Sequence, residues 1–148
     1  MAGAGQARVA RAEARAAALL EERGLRATAQ RTRVLAELVR EPNDATAQEL
    51  HDRLRARGSR IGLATVYRSL AVLAEEGVVD VLAHRPGEAC YRLCGGEHHH
   101  HLVCSTCHRV VELAGCRLDP WLDAVASEHG FAGVEHRLEL SGVCADCR

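Results

Sequence analysis

Val66-Tyr67-Arg68-Ser69-Leu70-Ala71-Val72-Leu73-Ala74-Glu75-Glu76-Gly77-Val78-Val79-Asp80-Val81-Leu82 changes its period at Gly77. Val66, Leu70 and Leu73 fall at i, i+4 and i+7, one apolar stripe on a helix that starts around Leu63 and runs to Glu76. Gly77 ends it, and Val78 to Leu82 reads as a strand. Arg85-Pro86-Gly87 is a turn and Glu88 to Leu93 a second strand. Three further helices are legible upstream. Residues 8–23 are good helix formers with apolar Ala16, Leu19 and Leu20 and with Gly24 just past the end. Thr28 can cap a second helix with Val34, Leu35 and Leu38 inward. Thr46-Ala47-Gln48-Glu49 is a capping box, in which threonine and glutamate satisfy each other's free amides. The third helix follows it, burying Leu50 and Leu54 and stopping near Gly58. Helices followed by a two-stranded hairpin describe a winged helix-turn-helix, whose last helix before the wing enters the major groove of DNA.

With Val66 and Leu70 turned inward, Thr65, Tyr67 and Arg68 project from the first turns of that helix. They suit base edges, a thymine methyl and phosphates respectively. An amphipathic helix whose exposed Tyr and Arg merely cover its flank has the same spacing. Arg31 and Arg33 are likewise either phosphate clamps or solvated charges, and spacing leaves both open.

After Gly95-Gly96 the character changes. His98 to Cys104, Arg109 to Leu113 and His136 to Ser141 read as three strands of a small antiparallel sheet. Asp119-Pro120 opens a helix with Trp121, Leu122 and Val125 on its buried face, ending at Gly130. The chain is therefore read as α+β: a winged-helix domain over residues 1–83, a hinge and end of wing over 84–94, and an α/β domain over 95–148.

The second half is dense in metal donors. Cys104-Ser105-Thr106-Cys107 and Cys144-Ala145-Asp146-Cys147 are two Cys-x-x-Cys pairs. Four thiolates make a closed, structural zinc site, because zinc takes soft tetrahedral ligands and each tight turn supplies two sulfurs. His98-His99-His100-His101 stands just upstream. Alternate strand residues face opposite sides, so His99 and His101 share one face and His98 and His100 the other, and one run can feed two sites. Asp80 on the wing and Cys94 beside the hinge are placed in sequence to complete the His99/His101 face. A Cys/His/His/Asp set is half soft and suits zinc better than iron or manganese. A solvated Asp80 and a small buried Cys94 are the competing readings. His84 and His108 sit near turns and read as solvated, and His129 favours a helix C-terminus. Cys90 and Cys116 have no ligand-spaced partner and read as structural or incidental.

A chain of 148 residues makes one ordinary domain or two small ones, and 47% hydrophobic residues suffice for a core. No apolar run approaches a membrane span. The Ala/Arg-rich segment Ala7 to Ala18 carries Glu13 and has no apolar block of a secretory signal. A cytoplasmic protein is expected, in which seven cysteines stay reduced and favour metal over disulfides. The net charge of −1 hides an asymmetry: residues 1–70 hold thirteen Arg against eight acids, and residues 71–148 six Arg against twelve acids. A basic half joined to an acidic, His/Cys-rich half points to a nucleic-acid module beside a metal module.

Gly62-Leu63-Ala64-Thr65-Val66-Tyr67-Arg68, the upstream Thr28-x-x-Arg31, and His98–His101-Leu102-Val103-Cys104-x-x-Cys107 together resemble the ferric-uptake-regulator family. The resemblance covers the chain from about Gly24 onward, with motifs of both halves in order. It implies a dimeric, metal-dependent bacterial repressor with winged-helix DNA-binding domains and a C-terminal dimerisation domain. Iron-sensing members generally supply a histidine before the third helix and a glutamate on the second wing strand. Those places here look like Asn43-Asp44 and Arg92, and an arginine cannot ligate a cation. Cys94 lies where zinc-sensing members place their cysteine, so the resemblance is closest to the zinc-uptake regulators of actinobacteria. It also implies a third site, in which Asp119 and His136 join His98 and His100. Asp119-Pro120 is equally an ordinary helix start, and the zinc branch more often has glutamate in that place.

The resulting expectation is a zinc-responsive repressor, binding two to three zinc ions per subunit. It binds double-stranded inverted-repeat operators as a homodimer and represses zinc-uptake genes, without a membrane or small-molecule substrate. A family regulator of iron, manganese, nickel or peroxide is the alternative. A zinc hydrolase would need an open coordination position and a general base. Glu97 is adjacent to the histidines, but no His-Glu-x-x-His helix or convincing nucleophile accompanies it, so an enzyme is not expected.

Overall fold

The computed structural model describes residues 2–41, 43–96 and 98–148, so Glu97 lies outside the described residues. The chain divides into two compact units, Met1–Cys94 and Gly95–Arg148. Each is described by itself.

The first unit runs α1 (Ala2–Glu22), α2 (Ala29–Arg40), β1 (Ala45–Thr46), α3 (Ala47–Ala56), α4 (Leu63–Glu75), β2 (Val79–Arg85) and β3 (Glu88–Leu93). Local chemistry sets these boundaries. Thr28 caps α2, its hydroxyl accepting from the Arg31 amide. Thr46 and Glu49 close a full capping box at α3: the Glu49 amide donates to Thr46 Oγ1 at 3.1 Å and the Thr46 amide to Glu49 Oε2 at 2.8 Å. Gly77 ends α4 at φ +64, a left-handed turn that costs glycine least. The inward stripe of α4, Val66, Leu70 and Leu73, is fully buried with Leu20, Leu35 and Leu50. Removing such a leucine from water is worth about 1.5–3 kcal/mol. Inside this apolar packing the Glu37 carboxylate is buried, and Arg57 Nε neutralises it at 2.9 Å.

The wing is a sheet of three strands in the order β1-β3-β2, because Ala45 and Thr46 pair antiparallel with Tyr91 and Cys90. Residues 84–94 are thus mostly strand, paired on both sides at Cys90 and Tyr91. The β2–β3 register shifts between Leu82, opposite Cys90, and Arg85, opposite Glu88. Two residues, Ala83 and His84, stand against the single Ala89, which is a bulge that re-aims the side chains it carries.

The second unit runs β4 (His99–Cys104), β5 (Val110–Ala114), α5 (Asp119–His129), β6 (Glu139–Gly142) and a 3₁₀ turn at Ala145–Cys147. Its sheet has the order β5-β4-β6. The three strands expected from sequence are present, with one correction: β6 runs parallel to β4, whereas only β5 is antiparallel to it. The register explains this. Ala114, the end of β5, lies beside His99, the start of β4, and the chain returns through α5 to that same end, where Glu139 pairs with His101. A strand entering there must run alongside β4 in its own direction. A second correction concerns α5. Gly130 caps it at φ +70 as expected, but none of its residues is buried, and Trp121 is 62% exposed with Leu122 and Val125 half-buried.

Candidate metal centres and nucleic-acid interface

Cys104, Cys107, Cys144 and Cys147 bring four sulfurs within 4.8 Å of one another. The Cys104–Cys107 turn closes on itself: the His108 amide donates to the Cys104 carbonyl at 2.9 Å, and the Cys104 amide to Arg109 O at 2.9 Å. His108 accepts a left-handed φ of 60 to make that turn. The second pair is stitched to the first, with Ser105 N donating to Gly142 O at 2.9 Å and Cys144 N donating to Cys104 Sγ at 3.4 Å. Backbone amides, first of Cys107 and then of Cys144 and Thr106, take the Cys104 thiol down to about 5. Hydrogen bonding to Cys144 and Cys107 takes Cys147 up to about 12. Amides aimed at a sulfur stabilise thiolate, the form that ligates metal.

On β4 the histidine run divides by face. His98, His100 and His136 converge with Cys116. His136 Nε2 lies 3.1 Å from His98 Nε2, 3.3 Å from His100 Nε2 and 3.1 Å from Cys116 Sγ. Asp119 is not part of this group among the described residues; it opens the exposed first turn of α5. The fourth member of the group is Cys116, three residues earlier, whose Sγ accepts from the Leu118 amide at 3.3 Å. Burial, and then the neighbouring His98 and His136, push His100 below its ordinary value, which favours the neutral form of the ring. Three nitrogens and one sulfur are donor types suited to zinc.

His99 and His101 occupy the opposite face with Glu112, which stands opposite His101 on β5. Opposed residues of an antiparallel pair share a face. A predicted β4–β5 register was the signal that would have found this carboxylate. A Cβ at Gly95 would lie 2.7 Å from Glu112 Oε2, so the chain passes close to the end of this side chain. In the first unit Asp80 sits on β2 opposite Arg92. Cys94 follows β3, its amide donating to Val78 O at 3.0 Å.

A fourth cluster was not anticipated. Asp44, His84 and Cys90 of the first unit place a carboxylate oxygen, an imidazole nitrogen and a thiol within 4.8 Å of one another. The place of His84 near a turn suggests a solvated ring, yet its side chain is 3% exposed and its Nε2 lies 3.3 Å from Asp44 Oδ2. His84 lies two residues beyond buried Leu82, and strand alternation puts the two side chains on the same inner face.

On α4, Thr65 and Arg68 are linked, the Arg68 guanidinium donating to Thr65 Oγ1 at 3.1 Å. Tyr67 is half-exposed beside them. Arg31, in the first turn of α2, donates to Arg26 O at 2.8 Å.

The sequence profile of the ferric uptake regulator family matches residues 22–141. The chain belongs to the ferric uptake regulator family. Within it, the chain is 46% identical over 125 residues to the zinc uptake regulation protein of Mycobacterium tuberculosis H37Rv, spanning 84% of this chain and 96% of the relative. It is 35% identical over 133 residues to the ferric uptake regulation protein of Escherichia coli K12, spanning 87% and 89%. A solved zinc uptake regulator in complex with zinc and DNA superposes with a TM-score of 0.77 at 27% identity, over 94% of each chain. The winged-helix reading and the family resemblance both stand. No helix among the described residues is long and apolar enough to cross a membrane.

Proposed function

We propose that this family member is a cytoplasmic, zinc-responsive repressor of zinc-uptake genes and not an enzyme, binding inverted-repeat operators as a zinc-loaded homodimer. The observation that carries this reading is the division of one histidine run between two donor clusters, separate from a four-cysteine cluster, in a chain that also holds a helix-turn-helix. Likeness to a zinc uptake regulation protein and to a zinc- and DNA-bound regulator supports it.

In this proposal Cys104, Cys107, Cys144 and Cys147 hold a structural zinc. His98, His100 and His136 hold a further one, with Cys116 or the sequence-implied Asp119 as the fourth ligand. The regulatory zinc is bound by Asp80, Cys94, His99 and His101. Without it the winged-helix units swivel about the end of the 84–94 segment and rarely meet two half-sites at once. Zinc restricts the swivel and sets both α4 helices about one turn of DNA, ~34–36 Å, apart. Thr65, Tyr67 and Arg68 then read the groove and Arg31 contacts phosphate. By linkage, operator DNA tightens regulatory zinc by the same factor that zinc tightens DNA.

Glu112 favours a second reading. Two histidines with one carboxylate also suit ferrous iron, which would place the protein among iron or manganese sensors. Selection of bound duplexes from a random pool at two buffered zinc levels, with iron and manganese arms, separates the two. An inverted repeat recovered only at the higher zinc level is expected. Recovery with iron or manganese but not zinc would transfer the protein to the sister branch, and the Cys94→Ser protein should lose the zinc response.

A further inference from the structure

Asp44, His84 and Cys90 lie outside every site used so far. Asp44 precedes β1, His84 sits in the bulge of β2, and Cys90 lies at the centre of β3, opposite both Thr46 and Leu82. All three side chains are sealed from solvent: Asp44 and His84 are 2% and 3% exposed, and Cys90 is wholly buried. Asp44 Oδ2 faces His84 Nε2 at 3.3 Å, and among the described residues no donor meets this oxygen in hydrogen-bonding geometry. The carboxylate also faces the Cys90 thiol, which burial, aided by Asp44, pushes up to about 12. Such groups are costly to bury unless something compensates them.

Zinc bonds of about 2.0–2.3 Å spread tetrahedrally put neighbouring donor atoms about 3.3–3.8 Å apart. The 3.3 Å between Asp44 Oδ2 and His84 Nε2 matches that frame, and the Cys90 sulfur lies within 4.8 Å of both atoms. One oxygen, one nitrogen and one sulfur leave a fourth position for water and select a borderline cation over magnesium or calcium. The positive charge of neighbouring Arg85 is engaged by Glu49 Oε1 at 2.8 Å. We propose that Asp44, His84 and Cys90 form an additional site for zinc or a similar borderline divalent cation, within the winged-helix unit. The cation ties both wing strands to the segment entering α3, setting the wing against the DNA-reading helices independently of the hinge.

The test counts metal on the full-length chain. Wild type, Cys90→Val and His84→Gln are titrated with zinc against a competing chromophoric chelator and then reconstituted with cobalt(II). Each variant should bind one equivalent fewer than wild type, and Cys90→Val should lose part of the thiolate-to-cobalt absorption. Equal stoichiometry in all three proteins would overturn the proposal and leave a metal-free core triad. Should a variant fail to fold, anomalous diffraction at the zinc edge from wild-type crystals grown in excess zinc decides. A peak among the three side chains supports the site, and its absence in zinc-saturated crystals rejects it.

Discussion

Cys116 and Asp119 differ by three positions, and the choice between them shows what residue-scale reading can and cannot reach. The split of His98/His100 from His99/His101 was legible because strand alternation depends only on sequence parity. The four cysteines were legible because each pair needs only a tight turn. Cys116 was not, since its Sγ meets His136 Nε2 across twenty residues through a loop with no periodic signal. Glu112 was hidden in the same way by an unpredicted register. A ligand role for Cys116 gives a direct contrast. In zinc competition titrations Cys116→Ala should weaken one site by at least the roughly 10–100-fold typical of losing a mere supporting partner. Asp119→Ala should leave that affinity within a small factor. The opposite ranking would return the fourth position to Asp119.

At the scale of elements, propensity and capping carried most of the helical half, because Thr28, Thr46 and Gly77 act on their immediate neighbours. The wing bulge and the direction of β6 were not legible, since both depend on where a distant strand has already been placed. The capping box at α3 is coupled to the wing through Glu49, whose second oxygen accepts from Arg85 at 2.8 Å. Burial alone would raise the Glu49 carboxyl. Hydrogen bonds from Arg85 and the Thr46 amide, with the charges of Arg85 and Arg53, instead take it below 4.5. A carboxyl depressed in the folded state stabilises the fold above its unfolded value, and that contribution disappears as pH falls through the folded one. Urea denaturation should show Glu49→Gln less stable than wild type at neutral pH, with the gap closing at pH values below about 4. A gap that persists unchanged into acid would show that shape, not charge, is what Glu49 supplies. Thr46→Ala removes the reciprocal half of the box and should cost about 1 kcal/mol at all these pH values.

For the whole molecule, the second unit alone leaves too much apolar surface open. Val111 on β5, Leu102 on β4 and Leu140 on β6 are directly opposed across the sheet and form a continuous exposed row. Trp121 on α5 and Phe131 just after it add 62% and 71% exposed rings. Soluble monomers rarely present such a contiguous patch, and α5 has no buried face of its own to account for its sequence. The buried face expected for α5 is therefore best supplied by a second copy of the chain, which also gives a repressor its two reading heads. Leu140→Arg places a charge in the middle of that row while leaving every proposed zinc ligand in place. Sedimentation equilibrium should find this variant monomeric at concentrations where wild type is dimeric, with zinc stoichiometry unchanged. Operator affinity should fall by roughly 10²-fold or more, because the second half-site loses the effective concentration that tethering provides. A dimeric Leu140→Arg protein with full affinity would show that the copies meet elsewhere. A monomer that still binds the whole operator at wild-type affinity would remove dimerisation from the proposed mechanism, because the proposed zinc-set spacing of two α4 helices requires both helices in one particle.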